Sequence, residues 1–218
     1  MPPMAVVAAR DLMARGAMFF SFDGLDGTGK STQMDLFCDW LCQRGHEVVR
    51  CQDPGSTPLG EQIRSILLGH NVPITRSAEM LLFMAARAQL VDEVIRPALA
   101  EKKTVVSDRY LLANLVYQGY AGGLDVETLR AVGRTATAGI MPDLVFVLDM
   151  SPEAAAGRLN RQRDRMESQG AEYDERLRQG FLAEAAKEPQ RIVVVDATRD
   201  VNTVHADIRR AAEKLLPG

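Results

Sequence analysis

Residues 19–32 read FFSFDGLDGTGKST, and this stretch decides the fold of the chain. Gly24, four further residues and then Gly29-Lys30-Ser31 match the pattern G-x-x-x-x-G-K-[ST] of a phosphate-binding loop. The apolar run at residues 18–22 predicts a buried strand before the loop, and residues 33–43 carry an apolar stripe at helical spacing after it. Strand, loop and helix in this order predict that the chain binds a nucleoside triphosphate.

Each residue type in the loop has a chemical reason. Glycine lacks a Cβ, so a glycine-rich turn can bring backbone N–H groups up to phosphate oxygens. Lys30 supplies a positive charge for the outer phosphates, and the Ser31 hydroxyl is placed to coordinate Mg²⁺. Nucleotide binding is therefore predicted for Gly24, Gly27, Thr28, Gly29, Lys30, Ser31 and Thr32.

Strands and helices alternate along the rest of the chain. Apolar runs predict further strands at residues 46–50, 102–107, 144–149 and 192–195, with helical periodicity between them. Nearly unbroken apolar strands that alternate with helices are typical of a parallel sheet buried on both faces. The sequence therefore predicts an α/β fold, a three-layer P-loop NTPase with a five-stranded parallel sheet and helices on both faces.

Composition narrows the class of protein. The 218 residues are 46% hydrophobic and 25% charged, which suits a globular protein with one full-sized core. A net charge of −3 argues against nucleic-acid binding, and no apolar run approaches the length of a membrane span. Three cysteines without metal-ligand spacing or a plausible disulfide framework favour a reducing cytoplasm. Residues 1–17 are predicted to be a loosely ordered extension, and residues 18–218 a single domain.

Polar residues cluster where the predicted strands end. In an open α/β sheet, ligands bind beyond the carboxyl ends of the strands, where this chain has the phosphate loop, residues 53–57, Asp108-Arg109-Tyr110 and residues 149–152. Arg109 has the reach to bridge anions held at the loop, which suits phosphoryl transfer, although a surface ion pair is the alternative. Asp108 is a candidate Mg²⁺ ligand beside Ser31. No Asn-Lys-x-Asp guanine motif is present, which argues against a GTPase.

Two sets of residues are open to more than one interpretation. The charged stretch at residues 158–165 contains Arg161 and Arg163, and it is either a solvated helix face or a mobile lid that closes over the transferring phosphate. Phe83 and Arg87 lie four residues apart, hence on one face of a helix. On the residues alone, Phe83 is interpreted as a core residue and Arg87 as a surface charge.

Several motifs together resemble those of thymidylate kinases. They occur in that family's order: DGLDGTGKST at residues 23–32, DPGSTPLGE at 53–61, LLFMAARAQ at 81–89, DRY at 108–110, YQG at 117–119, PDL at 142–144 and DRME at 164–167. The resemblance covers nearly the whole chain from residue 18 onward, and the combination is far more specific than the phosphate loop alone. It implies an enzyme that uses ATP and Mg²⁺ to phosphorylate dTMP to dTDP.

The resemblance also implies roles for individual residues. Phe83 would stack on thymine and Arg87 would hydrogen-bond to the base, in place of the core and surface positions given above. Asp26 lies inside the phosphate loop and is included among its predicted nucleotide-binding residues. It also matches the acidic residue that binds the sugar 3′-hydroxyl in that family. Arg109 matches an arginine that contacts phosphates of both substrates. The other matches on the substrate side are Asp53, Asn114, Tyr117 and Gln118.

The resemblance also suggests which arginines are catalytic. Gly27 stands where some family members have a catalytic arginine, and the basic stretch resembles the lid of the subgroup in which lid arginines do that work. Arg161 and Arg163, in a lid at about residues 158–172, are therefore predicted to be catalytic together with Lys30 and Arg109.

Departures from the family pattern fall on the monophosphate side and in the lid. Gln52 replaces an arginine, Ala113 a serine and Leu90 a histidine, and the lid arginines are out of the usual register. Arg50, two residues before Gln52, is a candidate substitute for the missing arginine.

Two alternatives to dTMP phosphorylation follow from these departures. One is a kinase for another pyrimidine monophosphate, such as dUMP, UMP or dCMP. The other is a phosphate-loop module that binds ATP without fast transfer. The expected partners are ATP and dTMP, with no nucleic acid and no membrane, and the resemblance implies a homodimer.

Overall fold

A single parallel sheet forms the centre of the molecule. The computed structural model describes residues 16–69, 73–159 and 170–216. The strands are β1 (Phe19–Gly24), β2 (Val48–Gln52), β3 (Thr104–Asp108), β4 (Leu144–Asp149) and β5 (Ile192–Asp196), and their order in the sheet is β2-β3-β1-β4-β5. The predicted α/β class with a five-stranded parallel sheet is confirmed.

Helices follow the strands, as the alternating pattern predicts. They are α1 (Lys30–Gln43), α2 (Pro58–Leu68), α3 (Arg76–Leu90), α4 (Arg96–Ala100), α5 (Leu111–Asn114), α6 (Val126–Thr137), α7 (Pro152–Gly157), α8 (Ala171–Lys187) and α9 (Val201–Glu213). Wider π-helical turns continue α3 over Val91–Ile95 and α5 over Leu115–Ala121. The helical segments between β3 and β4 supply one wall of the cleft described below.

The two faces of the sheet pack against different helices. Phe20 and Phe22 of β1 lie in a core cluster with side chains of α1 and α9. Phe19, on the opposite face of the same strand, packs with side chains of α3, α4 and α6. Because successive residues of a strand point to opposite faces, an unbroken apolar run is needed to cover both. Phe19 and Phe20 therefore serve opposite faces of the sheet, and all six residues of β1 are buried.

The carboxyl ends of the strands meet at one edge. β1 lies between β3 and β4, with Phe22 beside Asp108 and Gly24 beside Leu148. Gln52, at the end of β2, pairs with Asp108. The phosphate loop therefore begins in the middle of the sheet, with the polar ends of β2 and β3 on one side of it.

The start of α1 differs from that of most other helices. Side chains of Thr57, Thr75, Asp125, Ser151 and Asp200 accept hydrogen bonds from first-turn N–H groups of α2, α3, α6, α7 and α9. Gly29 precedes α1 with a φ of 91°, and no side chain caps that helix. The first N–H groups of an uncapped helix are available to an anion, which the helix dipole also favours.

Some sequence expectations concern residues outside this description. The predicted extension at residues 1–17, except for its last two residues, and most of the predicted lid at 158–172 lie outside the described ranges. The single-domain assignment stays a prediction. Across the described ranges, no helix has the length and apolar character required to cross a membrane. All three cysteines are free thiols.

Candidate active site

A cleft of about 680 Å³ opens at the carboxyl edge of the sheet. The phosphate loop forms one part of its wall, and residues from α3, from the end of β3 and from the segment after α5 form another. Most of the predicted site residues line it: Asp26, Gly27, Thr28, Gly29, Lys30, Ser31, Thr32, Asp53, Phe83, Arg87, Asp108, Arg109, Asn114, Tyr117 and Gln118. Residues far apart in sequence thus meet in one cleft, although the role of each stays a prediction.

Among the residues that the structure describes, Gly24 is the predicted site residue that is not part of this lining. Gly24 lies at the root of the loop, where its carbonyl oxygen accepts hydrogen bonds from Lys30 Nζ and Arg109 Nη1, each at 3.2 Å. Arg161 and Arg163 lie outside the described residues. Gly24 therefore orients the two cations of the loop region.

Lys30 is held against the phosphate loop. Its Nζ donates to the Leu25 carbonyl at 2.8 Å and to Asp26 Oδ1 at 3.2 Å. Burial lowers the pKa of Lys30, as does the charge of Arg109, while Asp26 opposes that fall. A buried ammonium held mainly by backbone carbonyls is a compact positive charge at the point where the motif places the outer phosphates.

Arg109 connects the phosphate loop to the opposite wall. Its Nη2 donates to Asp26 Oδ1 at 2.8 Å and to the Tyr117 hydroxyl at 3.1 Å, and its guanidinium carbon lies 5.0 Å from the centre of the Tyr117 ring. Burial works against the Arg109 charge, but Asp26 and other neighbours raise its pKa well above the ordinary value. Its pair with Asp26 lies inside the cleft, so the surface ion pair is the wrong interpretation.

The backbone of Arg109 is strained. Its φ is 66°, a left-handed conformation that a residue with a Cβ rarely adopts. The Arg109 N–H donates to the Phe22 carbonyl at 2.9 Å, which ties this turn to β1. Such strain costs ~1–3 kcal/mol and persists where the surroundings over-determine it, often at functional sites. The turn directs Arg109 over the loop.

The interpretation of Arg87 as a surface charge is wrong. Arg87 is 1% exposed, and its Nε donates to Asp53 Oδ2 at 2.5 Å. Nη2 donates to the Tyr110 carbonyl at 3.3 Å, and Nη1 lies 3.2 Å from the Met84 sulfur. Burial raises the pKa of Asp53, and the Arg87 guanidinium opposes that rise. A charge on the apolar side of α3 is tolerated because a carboxylate from the end of β2 neutralises it.

Phe83 lies at the edge of the core rather than inside it. Phe83 is only partly buried, next to a small cluster of Ile63, Leu67 and Ala86, and it lines the cleft. Its side chain thus packs against the apolar cluster and also borders the cleft. An aromatic ring in that position is suited to stack on a planar ligand.

Oxygen atoms near the loop suit a magnesium ion. Ser31 is exposed in the cleft, and Asp108 lines it with Oδ1 buried and without a hydrogen-bond partner among the described residues. The described ranges contain no group of three or more His, Cys, Asp or Glu residues that could hold a metal by itself. Because Mg²⁺ is usually bound by one or two protein oxygens together with phosphate oxygens and water, these residues fit that ion.

The position of Gly27 explains why no arginine stands in the phosphate loop. Gly27 has a φ of 86°, and a Cβ there would lie 2.1 Å from the Ala155 carbonyl oxygen of α7. A side chain at residue 27 would therefore require α7 to move. α7 therefore leaves no room for an arginine at this position of the loop.

The sequence interpretation missed the residues at the far end of the cleft. Arg158, treated only as part of a charged run, lines it and donates from Nη1 to the Ala197 carbonyl at 3.1 Å. Arg199 and Val201, which follow β5, line it too, and Gln33 Nε2 holds the Val201 carbonyl at 2.9 Å. The rule that ligands lie beyond strand ends would have singled out the residues after β5.

Arg50 is not the substitute for the missing arginine. It pairs with Asp35 on the surface and is not among the residues that line the cleft. Arg64 of α2 does line the cleft, partly buried, and donates to the Pro54 carbonyl at 3.0 Å. Arg64 is therefore an additional cation of the cleft, next to the residues that follow β2.

Comparisons with known proteins agree on one family. The family model described as thymidylate kinase matches residues 22–208. The thymidylate kinase of Symbiobacterium thermophilum is 46% identical over 203 residues, which cover 92% of this chain and 95% of that protein. The thymidylate kinase of Pelotomaculum thermopropionicum is 46% identical over 205 residues, or 91% and 94% of the two chains. A crystal structure of thymidylate kinase from Ehrlichia chaffeensis matches with a TM-score of 0.75 at 28% identity, covering 91% of this chain and 99% of that one.

Proposed function

The chain belongs to the thymidylate kinase family, and from this premise we propose that it transfers the γ-phosphoryl group of ATP to dTMP to give dTDP and ADP. One observation carries the proposal at the level of residues. The phosphate loop and the residues expected around a pyrimidine nucleotide line the same cleft, and Arg109 lies between them. Two anionic substrates could therefore meet at one arginine.

ATP is assigned to the side of the cleft with the phosphate loop. The uncapped start of α1 and Lys30 would hold its phosphates. Arg158, Arg199 and Val201 also line the cleft, at the end formed by the residues after β5. A guanidinium can stack on a purine ring, so this end suits the adenine. Ser31 and Asp108 would hold Mg²⁺, which supplies charge neutralisation at the phosphate oxygens.

The monophosphate is assigned to the side with α3 and the segment after α5. Phe83 would stack on the thymine ring, and N–H groups of Arg87 not engaged by Asp53 or Tyr110 would be donors to the base. Asp26 would accept a hydrogen bond from the sugar hydroxyl, next to Tyr117. Asn114 and Gln118 complete this side.

Phosphoryl transfer requires alignment and charge neutralisation more than covalent chemistry. Lys30 and Arg109 are the described cations best placed to neutralise charge at the transferring group. Arg161 and Arg163 are proposed as further cations that approach when both substrates are bound, and these two residues lie outside the described ranges.

We assign the enzyme to the cytoplasm and to a homodimer. Free thiols at all three cysteines suit a reducing compartment. Leu59 and Ile66 of α2 and Leu81 of the neighbouring α3 are large apolar side chains on the surface, and Leu81 is 54% exposed. Apolar residues exposed on adjacent helices are typical of a protein–protein interface. Sedimentation equilibrium would give twice the chain mass, and a monomer at assay concentration would contradict the dimer.

Lys30→Ala tests the assignment of the phosphate loop. The lost charge acts mainly on the transition state, so kcat should fall about 10²–10³-fold while the fold persists. Lys214→Ala, at an exposed lysine after α9, is the matched control and should keep full activity. ADP release with dTMP measures both. Near-normal turnover of the Lys30 variant would refute the assignment, and tight ATP binding by the wild type without transfer would mark a non-catalytic module.

A further inference from the structure

A buried glutamate lies behind the predicted base pocket and is not explained by the proposed chemistry. Glu79, in the first turn of α3, is 0% exposed and does not line the cleft. It pairs with Arg76 at 3.5 Å. A carboxylate in the interior costs free energy unless its hydrogen bonds are satisfied. The position of Glu79, directly behind two residues that line the cleft, therefore calls for an explanation.

Glu79 is the start of a chain of hydrogen bonds that ends in the cleft. Gln118 Nε2 donates to Glu79 Oε1 at 2.9 Å. Asn114 Nδ2 donates in turn to Gln118 Oε1 at 2.7 Å. Both amides line the cleft, and they are 1% and 2% exposed. Three buried polar side chains are thus connected in one direction.

The chemistry of the carboxylate fixes that direction. A carboxylate paired with an arginine accepts hydrogen bonds and donates none, so Gln118 must turn its NH₂ group to Glu79. The Gln118 carbonyl oxygen then faces Asn114, which must turn its own NH₂ group to it. Asn114 Oδ1 is left buried, with no partner among the residues that the structure describes. The polar atom that remains for a ligand is therefore an acceptor.

We infer that Glu79 is a positioning residue for base selection, which acts through Gln118 to hold Asn114 Oδ1 as a hydrogen-bond acceptor toward the pyrimidine. The inference rests on the proposed function. Thymine and uracil carry a donor at N3, which matches an acceptor, whereas cytosine carries an acceptor at N3. A fixed acceptor would thus exclude dCMP without any contact between Glu79 and the substrate, and it would not distinguish dTMP from dUMP.

Glu79→Gln tests the inference with almost no change in shape. The amide that replaces the Glu79 carboxylate could donate as well as accept. The side-chain amides of Gln118 and Asn114 would then be free to turn over, which would exchange the donor and the acceptor that Asn114 offers to the base. We expect the ratio of kcat/KM for dTMP to that for dCMP to fall at least about tenfold, as a buried unmatched polar pair implies. The dTMP/dUMP ratio and the KM for ATP should not change, because both bases carry an N3 donor and ATP binds elsewhere.

A second variant separates the relay from loss of structure. Gln118→Leu removes the middle of the chain, and it should lower the dTMP/dCMP ratio as Glu79→Gln does. If Glu79 acts through Gln118, the double variant should lose no more selectivity than either single variant. Thermal melting of each variant shows whether the fold persists.

The outcomes distinguish this inference from the proposed function. A wild-type protein without dTMP turnover would refute the proposed function. If the wild type phosphorylates dTMP and Gln118→Leu keeps the wild-type dTMP/dCMP ratio, only the relay is refuted. An equal fall in dTMP, dUMP and dCMP activity in both variants would also refute it, since that result indicates a purely structural role.

Discussion

Removal of the Asp53 carboxylate should destabilise the protein strongly. Asp53→Asn keeps the shape of the side chain but leaves the Arg87 guanidinium, which is 1% exposed, without a counter-charge. Because the pair is almost fully buried in the wall of the cleft, water can replace the lost partner only in part. Breaking one side of a buried ion pair typically costs about 3–5 kcal/mol, and we expect a loss in that range.

Urea unfolding of four proteins measures this effect. Asp35→Asn is the matched control, because Asp35 pairs with Arg50 on the surface, where both side chains are about half exposed. Loss of an exposed pair should cost no more than ~1 kcal/mol. Adding Arg87→Met to Asp53→Asn removes the stranded charge, so the double variant should recover about 2–3 kcal/mol.

Equal costs for Asp53→Asn and Asp35→Asn would refute this reasoning, since they would mean that water reaches the Arg87 pair. The prediction also affects tests of base binding. Because Arg87 supports both the fold and the pocket, Arg87→Lys should lower stability and dTMP affinity together. A loss of stability in that variant is therefore no argument against a role in base recognition, and Phe83 is the better residue to test.

Three further variants test other parts of the account. Phe83→Leu should raise the KM for dTMP by the equivalent of about 1–3 kcal/mol with little change in melting temperature or in the KM for ATP, and a change in melting temperature alone would contradict stacking. Gly27→Ala should weaken ATP binding, because its Cβ would lie 2.1 Å from the Ala155 carbonyl oxygen; unchanged ATP affinity would show that α7 does not restrict the loop. Burial raises the pKa of Asp23 to about 7, so the folded chain holds this proton more tightly than the unfolded chain and wild-type stability falls as pH rises from about 4 to about 7. Asp23→Asn should therefore gain ~2–4 kcal/mol on the wild type across that window, and a pH-independent difference between the two would count against it.

Elements with a strong apolar pattern could be predicted from the sequence. The predicted bounds of β4, residues 144–149, are those of the structure. The bounds of β2 were predicted less accurately. The predicted strand at residues 46–50 begins two residues before Val48 and ends two residues before Gln52. Hydrogen bonding to β3 sets those ends, with Gln52 beside Asp108, and such pairing leaves no local trace in composition.

Contacts between distant segments account for what the sequence did not reveal. Arg87 carries a charge, which normally indicates the surface, and its partner Asp53 is 34 residues away. Glu79 is likewise inconspicuous on α3 until Gln118 is placed beside it. Segments with a local motif, such as the phosphate loop, were located correctly in the cleft, whereas buried polar partners depend on the tertiary structure.

Turnover across a panel of monophosphates tests the central claim most directly. ADP release from ATP and Mg²⁺ would be measured with dTMP, dUMP, UMP, dCMP and AMP as acceptors, each against ATP alone. A thymidylate kinase should give the highest kcat/KM with dTMP, and the product should be dTDP. A higher kcat/KM for another monophosphate, or ADP release no faster with any acceptor than with ATP alone, would contradict the account.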